Sequence, residues 1–131
     1  MPHFNYLPEI CASTGLIQTI ELVHDALKIG TAIWHADSST EDGVIQILEL
    51  NIDATVQRQG FGKLLMAELV RQTLAYQALR KVPLRRLWIS MRQKTQIQGR
   101  AYVSGQGFIH QGTVKDLLTG EDAMIYVRTF D

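Results

Sequence analysis

VQRQGFGKLLMAELV, from Val56 to Val70, is the stretch that most clearly indicates how this chain folds. Two glycines, Gly60 and Gly62, stand at the start of an apolar run in which apolar residues recur at every fourth position from Phe61 to Leu69. This spacing predicts an amphipathic helix with a broad buried face that continues to about Arg80. Glycine costs roughly 1 kcal/mol relative to alanine inside a helix, so two glycines at this position require a reason.

The residues alone leave two explanations open for these glycines. In the first, the helix start is an anion cradle: it presents unpaired N–H groups and about half a positive charge, and side chains at both positions would block a phosphate. Further donors or charges stand nearby at Gln57, Arg58, Gln59 and Lys63. In the second, the glycines only give a strand-to-helix turn its backbone freedom. The spacing fits neither a P-loop nor the G-x-G-x-x-G of a dinucleotide fold.

Composition limits the class of protein. The 131 residues fit a single domain, residues 1–131, and 46% of them are hydrophobic, which is enough for a packed core. Lys+Arg and Asp+Glu are both 13, so a net charge of zero gives no support for a nucleic-acid or membrane partner. A single cysteine excludes an intramolecular disulfide, and there is no secretory signal or membrane-spanning apolar run. The sequence therefore predicts a cytoplasmic protein.

Three strands are predicted between Leu16 and the helix. Leu16–Asp25 and Leu27–Asp37 form a hairpin with a tight turn between them, and Val44–Asp53 is apolar enough to be central in a sheet. Residues 38–43 are a polar turn. Residues 1–15 are predicted to be irregular, with a short strand at Phe4–Leu7, because prolines and a glycine interrupt them.

After the helix the pattern changes to a buried strand, Leu87–Arg92, a weaker helix, Thr95–Gly105, and two closing strands at residues 107–114 and 123–130. A strand, a helix and a strand in series form a right-handed crossover, so the strands on either side of the first helix are parallel. The predicted fold class is α+β, with helices on a mixed sheet.

Two features together resemble the GNAT superfamily of acyl-CoA-dependent N-acyltransferases. Gln57, Gly60 and Gly62 match its Gln/Arg-x-x-Gly-x-Gly/Ala signature between an apolar strand and an amphipathic helix, and YVSGQGF ends the second helix in Gly107–Phe108. The resemblance covers the chain from about Val44 onward. It implies a mostly antiparallel sheet with a splayed central parallel strand pair, flanked by helices, in which the N-terminal helices are reduced or absent.

The resemblance also implies acetyl-CoA as co-substrate and no metal. Its pantetheine arm would pair with the end of the strand before the loop, at Leu50, Asn51 and Ile52. Its diphosphate would bind the N–H groups of the loop and the helix start, at Gln57, Arg58, Gln59, Gly60, Phe61, Gly62 and Lys63.

The expected reaction is attack of a primary amine on the thioester in a ternary complex. Members of the superfamily often use a carboxylate on this strand as the base, and Glu49 is the candidate here, with His35 as the runner-up. The four histidines are scattered, and none pairs at metal-ligand spacing.

The second helix departs from the family pattern. Gln96 stands where members carry an asparagine that touches the CoA arm, and Gly99 takes the place of a small packed residue. The tyrosine that protonates the leaving thiolate would fall at Val103, whereas Tyr102 is one residue earlier, about 100° away around the helix. We expect Tyr102 to replace it if the helix is shifted, with water as the alternative proton donor.

The acceptor is expected to be a small-molecule or peptide amine. Too few residues precede Leu16 for the two helices that usually form a wall of the acceptor site. We therefore expect the acceptor site either to be open to solvent or to be covered by a second subunit, and a homodimer is one hypothesis. A catalytically silent acyl-CoA-binding or interaction module on the same fold is the alternative function. A scaffold without affinity for CoA is a third possibility and requires the glycine loop to be coincidental.

Overall fold

The computed structural model describes residues 2–11 and 15–131. Within these ranges the chain forms seven strands and two α-helices. In chain order they are β1 (His3–Cys11), β2 (Gly15–His24), β3 (Leu27–Ala36), β4 (Val44–Ile52), α1 (Phe61–Leu79), β5 (Arg86–Arg92), α2 (Ile97–Gly105), β6 (Ile109–Leu118) and β7 (Glu121–Thr129).

All seven strands belong to one sheet with the order β1-β2-β3-β4-β5-β7-β6. Every neighbouring pair is antiparallel except β4 and β5, which are parallel and connected through α1. The predicted fold class is therefore confirmed, including the central parallel pair.

Both helices cover the same face of the sheet. The indole N–H of Trp34 on β3 donates to Gln72 of α1 at 2.7 Å, and Trp34 is paired with Ile47 on β4. On β5, Ile89 is paired with Ile47, and Met91, two residues later, lies on the same side of the sheet. Met91 contacts α2, because its sulfur would lie 3.4 Å from a Cβ added to Gly99. We call this side the helix face and the opposite side the far face. No helix in the described part of the chain is long and apolar enough to cross a membrane.

The core lies between the helix face and the two helices. The strands contribute buried branched and aromatic side chains, and the helices contribute their apolar stripes. Its largest fully buried side chains include Ile20, Leu22, Trp34, Ile45, Ile47, Leu65, Met66, Leu69, Leu87, Met91 and Val103.

The hairpin between β2 and β3 is confirmed. Its two turn residues, Asp25 and Ala26, have φ of 53° and 61°. Two consecutive left-handed residues are typical of the type I′ turn, whose twist matches that of the flanking strands.

The strand predicted at Phe4–Leu7 is confirmed as part of β1, but the irregular structure predicted for the rest of residues 1–15 is wrong over the described residues, because β1 pairs with β2 along its whole length. β1 is an edge strand, and a proline is compatible with an edge because the outer side of such a strand needs no hydrogen bonds. The hydroxyl of Tyr6 donates to Glu68 of α1 at 2.6 Å and attaches the strand to the helix. The parts of the predicted segment at residue 1 and at residues 12–14 lie outside the described residues.

Other boundaries also differ from the prediction. The polar turn is a short 3-10 helix, Ser38–Asp42, whose N-terminus is capped by Asp37. α2 begins at Ile97 rather than Thr95, because the N–H and hydroxyl groups of Thr95 donate to Glu121 instead. β6 continues to Leu118, beyond a register shift in its pairing with β7.

Candidate functional site

β4 and β5 separate in the middle of the sheet. Their parallel pairing runs from Val44 with Arg86 to Ile47 with Ile89, and within the described residues it stops there. β4 itself continues to Ile52 while paired with β3. The sheet therefore contains a gap between the ends of its two central strands.

A bulge on β4 lies where the strands separate. Trp34 is paired with Ile47 and Ile33 with Glu49, so Leu48 is the additional residue on β4. A bulge bends its strand and increases the local twist, which accounts for β4 turning away from β5 at this residue.

The loop after β4 is held by short-range contacts. The side chain of Asp53 accepts from the N–H of Thr55 at 2.9 Å, and the amide of Gln57 donates to the carbonyl of Ile52 at 3.3 Å. Beyond this point Arg58 and Gly60 are left-handed, with φ of 67° and 84°. Turns with left-handed residues can direct successive N–H groups to one side, which suits them for binding an anion.

The N-terminus of α1 opens from this loop. Gly60 is its N-cap residue and, being a glycine, provides no side chain to cap the helix. The first helical hydrogen bond joins the N–H of Leu64 to the carbonyl of Gly60 at 3.1 Å. The first N–H groups of a helix lack helical partners, and a Cβ built on Gly60 would have no neighbour within 4 Å. The end of the helix is thus accessible to an anion and carries the positive end of the helix dipole.

Gly62 has a different role from Gly60. A Cβ built on it would lie 2.9 Å from Cε1 of Tyr102, so the ring of Tyr102 occupies the space that a side chain would need. The hydroxyl of Tyr102 donates to the carbonyl of Gly62. Gly62 therefore lets α1 and α2 approach each other closely.

α2 presents Tyr102, and not Val103, to the site. Val103 is fully buried in the core, whereas Tyr102 is only half-buried. Burial raises the pKa of Tyr102 well above its usual value, and a phenol is protonated at neutral pH even without this shift.

A cleft of about 570 Å³ joins the loop, the start of α1, the end of β4 and α2. It brings together most of the predicted cofactor residues and the predicted proton donor, namely Leu50, Asn51, Ile52, Gln57, Arg58, Gly62, Gln96 and Tyr102. The remaining predicted residues do not line it. Gln59, Gly60 and Lys63 are exposed on the loop and at the start of α1, and Phe61 packs its ring 5.1 Å from that of His24.

The two candidate bases lie on the far face. Glu49 is exposed, does not line the cleft, and is paired with Ile33 next to the gap between the strands. His35 is half-buried one row away, with its Nδ1 3.9 Å from a carboxylate oxygen of Asp37. Glu49 therefore lies closer than His35 to the gap between β4 and β5.

A buried carboxylate positions the start of α2. Glu121, at the start of β7, accepts from the N–H groups of Lys94 and Thr95 at 2.8 and 3.2 Å, and from the guanidinium of Arg92 at 3.2 Å. Burial would raise the pKa of Glu121, but these donors together with the Thr95 hydroxyl lower it to about 2. Gln96 follows directly, and its side-chain oxygen accepts from the N–H of Arg92 at 2.6 Å.

Sequence reasoning missed three residues that line the cleft or assigned them no ligand role: Gln98, Gly99 and Ala101. Gln98 precedes Tyr102 by four positions, and Gly99 by three, so both lie on the side of α2 that carries Tyr102. Their spacing of four and three residues before Tyr102, which places residues on one side of a helix, was the signal that could have identified Gln98 and Gly99.

No protein-family model matches this chain, and no curated protein matches it in sequence. Several solved structures do resemble it. A GNAT family acetyltransferase from Elizabethkingia anophelis with acetyl-CoA bound superposes with a TM-score of 0.69 at 12% identity, over 97% of this chain and 98% of the other. A Bacillus subtilis acetyltransferase in complex with CoA has a TM-score of 0.69 at 12% identity, over 88% of this chain and 78% of the other.

The ribosomal-protein alanine N-acetyltransferase of Escherichia coli is a third example, with a TM-score of 0.65 at 19% identity, over 85% of this chain and 67% of the other. At these low identities the likeness concerns the fold. The chain has the fold of the GNAT acetyltransferases.

Proposed function

We propose that this protein is an acetyl-CoA-dependent N-acetyltransferase that transfers an acetyl group to a primary amine in a ternary complex. The observation that supports it most is the joining of two features in one cleft: the open N-terminus of α1 and the gap between β4 and β5. Both features serve the same ligand, since one suits a diphosphate and the other leaves space for the arm that carries the thioester.

The chain's residues fit acetyl-CoA, which supplies an acetyl thioester. The N–H groups from Gln57 to Lys63 and the charge of Arg58 would hold its phosphates. Backbone groups of Leu50 to Ile52, on the part of β4 that has left β5, would pair with its pantetheine arm. An N–H in this segment would also stabilise negative charge on the thioester oxygen, and Gln96 on α2 would contact the arm from the other side.

The amine must react in its neutral form, because an ammonium has no lone pair. Glu49 is the proposed base, and its place beside the gap supports this role. A C–N bond forms, the C–S bond breaks, the amine proton passes to Glu49, and the CoA thiolate leaves. Holding both reactants in place supplies part of the rate enhancement.

Tyr102 is the proposed proton donor to the thiolate, because it is a protonated phenol on the wall of the cleft. Tyr102→Phe keeps the ring against Gly62 and removes only the hydroxyl. We expect kcat to fall by roughly tenfold or more, while KM for acetyl-CoA changes little. An unchanged kcat would leave water as the proton donor, and a raised KM alone would mean that the hydroxyl only positions α1.

The cradle is tested by replacing Gly60. Asparagine tolerates a left-handed φ better than other side chains, so Gly60→Asn adds bulk at the helix start while limiting strain. Calorimetric titration with acetyl-CoA should show affinity reduced by about tenfold or more. Gly120→Asn is the matched control, since Gly120 has φ of 75° and the same open surroundings in the turn between β6 and β7. Equal affinity of a folded Gly60→Asn variant and the wild type would contradict the cradle.

A catalytically silent acyl-CoA-binding module is the second candidate. One observation favours it: the hydroxyl of Tyr102 is already bonded to the carbonyl of Gly62. Release of CoA from acetyl-CoA, followed with a thiol reagent across a panel of amines, separates the two candidates. Binding without release for every amine would select the silent module.

A further inference from the structure

The far face carries apolar side chains beside the gap, and this inference rests on the proposed function. The sheet register places residues of neighbouring strands in rows across this face. One row contains Ile17, His35, Gln46, Trp88, Val127 and Ile109. The next row is interrupted by the gap, with Ile33 and Glu49 on one side and Ser90 and Ile125 on the other.

No helix of the described residues covers this face. Trp88, Ile33, Ile125 and Val127 are only half-buried, and Ile109 at the sheet edge is 63% exposed. Trp34 on the helix face, by comparison, is 1% exposed. The gap is therefore bordered on both sides by apolar surface that is accessible to a ligand.

The far face and the cleft meet at the gap. The cleft lies on the helix side, where α1 and α2 form its walls, so an amine that approaches from the far face meets the thioester without passing the cofactor. An acceptor bound on the far face would thus have its nitrogen at the gap and the rest of its body over the apolar side chains.

The charges on the far face favour a single ammonium group. Glu49 is exposed next to the gap and makes no ion pair within the described part of the chain. Two other acids near this part of the sheet already have partners. Glu21 has its carboxylate 3.6 Å from the ammonium of Lys28. Asp37 accepts from the N–H of Ser39 at 2.8 Å and lies 3.9 Å from Nδ1 of His35. Arg86 lies on the same side of β5 as Trp88, so a second ammonium on the ligand would be repelled there, whereas the charge of Arg92 on this side is balanced by Glu121.

We propose that the acceptor is a primary amine with one ammonium group on an apolar body, which binds on the far face with its nitrogen beside Glu49 and its body over Trp88, Ile33 and Ile125. An aromatic or branched aliphatic amine and a peptide with an apolar N-terminal residue share this chemistry. A polyamine does not.

The experiment compares benzylamine, a short peptide with N-terminal phenylalanine, and spermidine, with release of CoA followed by a thiol reagent at saturating acetyl-CoA. We expect benzylamine or the peptide to exceed spermidine in kcat/KM by about tenfold or more, and their ratio distinguishes a small-molecule acceptor from a peptide. Spermidine as the best acceptor would overturn the proposal.

Trp88→Ser should lower kcat/KM for the apolar amines by about tenfold and leave the calorimetric affinity for acetyl-CoA unchanged. Leu79→Ser is the control, because Leu79 is an 86% exposed apolar residue at the end of α1. If Trp88→Ser does not fold, Ile125→Thr removes apolar surface from the same side of the gap and keeps a β-branched side chain. An equal loss for all three amines would overturn the proposal.

Sedimentation tests the other occupant of this face, a second copy of the chain. A dimer that Trp88→Ser dissociates would assign the face to subunit contact and overturn the acceptor proposal. Turnover with the wrong preference contradicts the acceptor class alone, whereas absence of turnover despite bound acetyl-CoA contradicts the proposed function as well.

Discussion

Arg58 and Gly62 show how single residues form the cleft. Arg58 has a left-handed backbone, which costs an ordinary residue roughly 1 kcal/mol or more, and it lines the cleft with its charge. Gly62 leaves space for the ring of Tyr102. Arg58 thus has a strained backbone at a position that lines the cleft. Gly62 lacks the side chain that would separate α1 from α2.

Arg58→Gly should weaken acetyl-CoA binding without lowering stability. Glycine adopts a positive φ freely, so the free energy of unfolding should stay equal or rise, while loss of the guanidinium reduces affinity by about tenfold. Thermal unfolding and calorimetric titration measure the two effects. Lys81→Gly relieves a φ of 62° away from the cleft and should affect binding little. Unchanged affinity in Arg58→Gly would show that this side chain does not contact the ligand.

Gly62→Ala should destabilise the protein by about 1–3 kcal/mol through its contact with Tyr102. In Tyr102→Ala the ring is gone, and the added methyl group should then cost much less. A double-mutant cycle by urea unfolding measures this coupling. Additive effects would show that the methyl group is accommodated without displacing the ring.

α2 depends on contacts outside itself, because it has nine residues and no side-chain cap at its N-terminus. Helices this short are marginal in isolation, so tertiary contacts must stabilise it. Glu121 supplies one such contact at the segment before the helix, and the packing of Val103 and Gly99 supplies the other.

Glu121→Gln should therefore affect the cleft from a distance. The neutral amide leaves Arg92 without its charge partner and weakens the hydrogen bonds from Lys94 and Thr95, so we expect a lower Tm and a raised KM for acetyl-CoA. Glu41→Gln, at an exposed carboxylate, is the control. A lower Tm with an unchanged KM would mean that Glu121 stabilises the fold without positioning α2.

The whole molecule should lose stability in acid. The hydrogen bond from Arg71 lowers the pKa of Glu68, and the donors around Glu121 lower its pKa to about 2, well below the usual value of a glutamate. A carboxyl with a lower pKa in the folded state stabilises the protein above the unfolded-state pKa and loses that contribution as the pH falls through the folded-state pKa.

Urea unfolding between pH 7 and pH 2 measures this dependence. The free energy of unfolding should begin to fall below about pH 4.5 and continue to fall toward pH 2. Glu121→Gln should show a smaller decrease over this range than the wild type. A parallel decrease in both proteins would show that Glu121 does not contribute.

The sequence alone determined the elements whose signal is local. The four-residue period after Gly60 predicted α1, and two strand-like runs with a short turn between them predicted the hairpin of β2 and β3. The crossover rule then predicted the parallel pair, because the handedness and length of the connection permit no other simple arrangement.

Tertiary structure decided what depends on residues far apart in the chain. β1 is a strand because β2 pairs with it and Tyr6 reaches Glu68, and α2 presents Tyr102 because Val103 fills the core. The bulge at Leu48 is visible only in the register of two strands. The periodicity of a sequence shows which side of a helix or strand is apolar. The register of paired strands, and which side of a short helix faces the core, depend on packing against residues distant in the sequence.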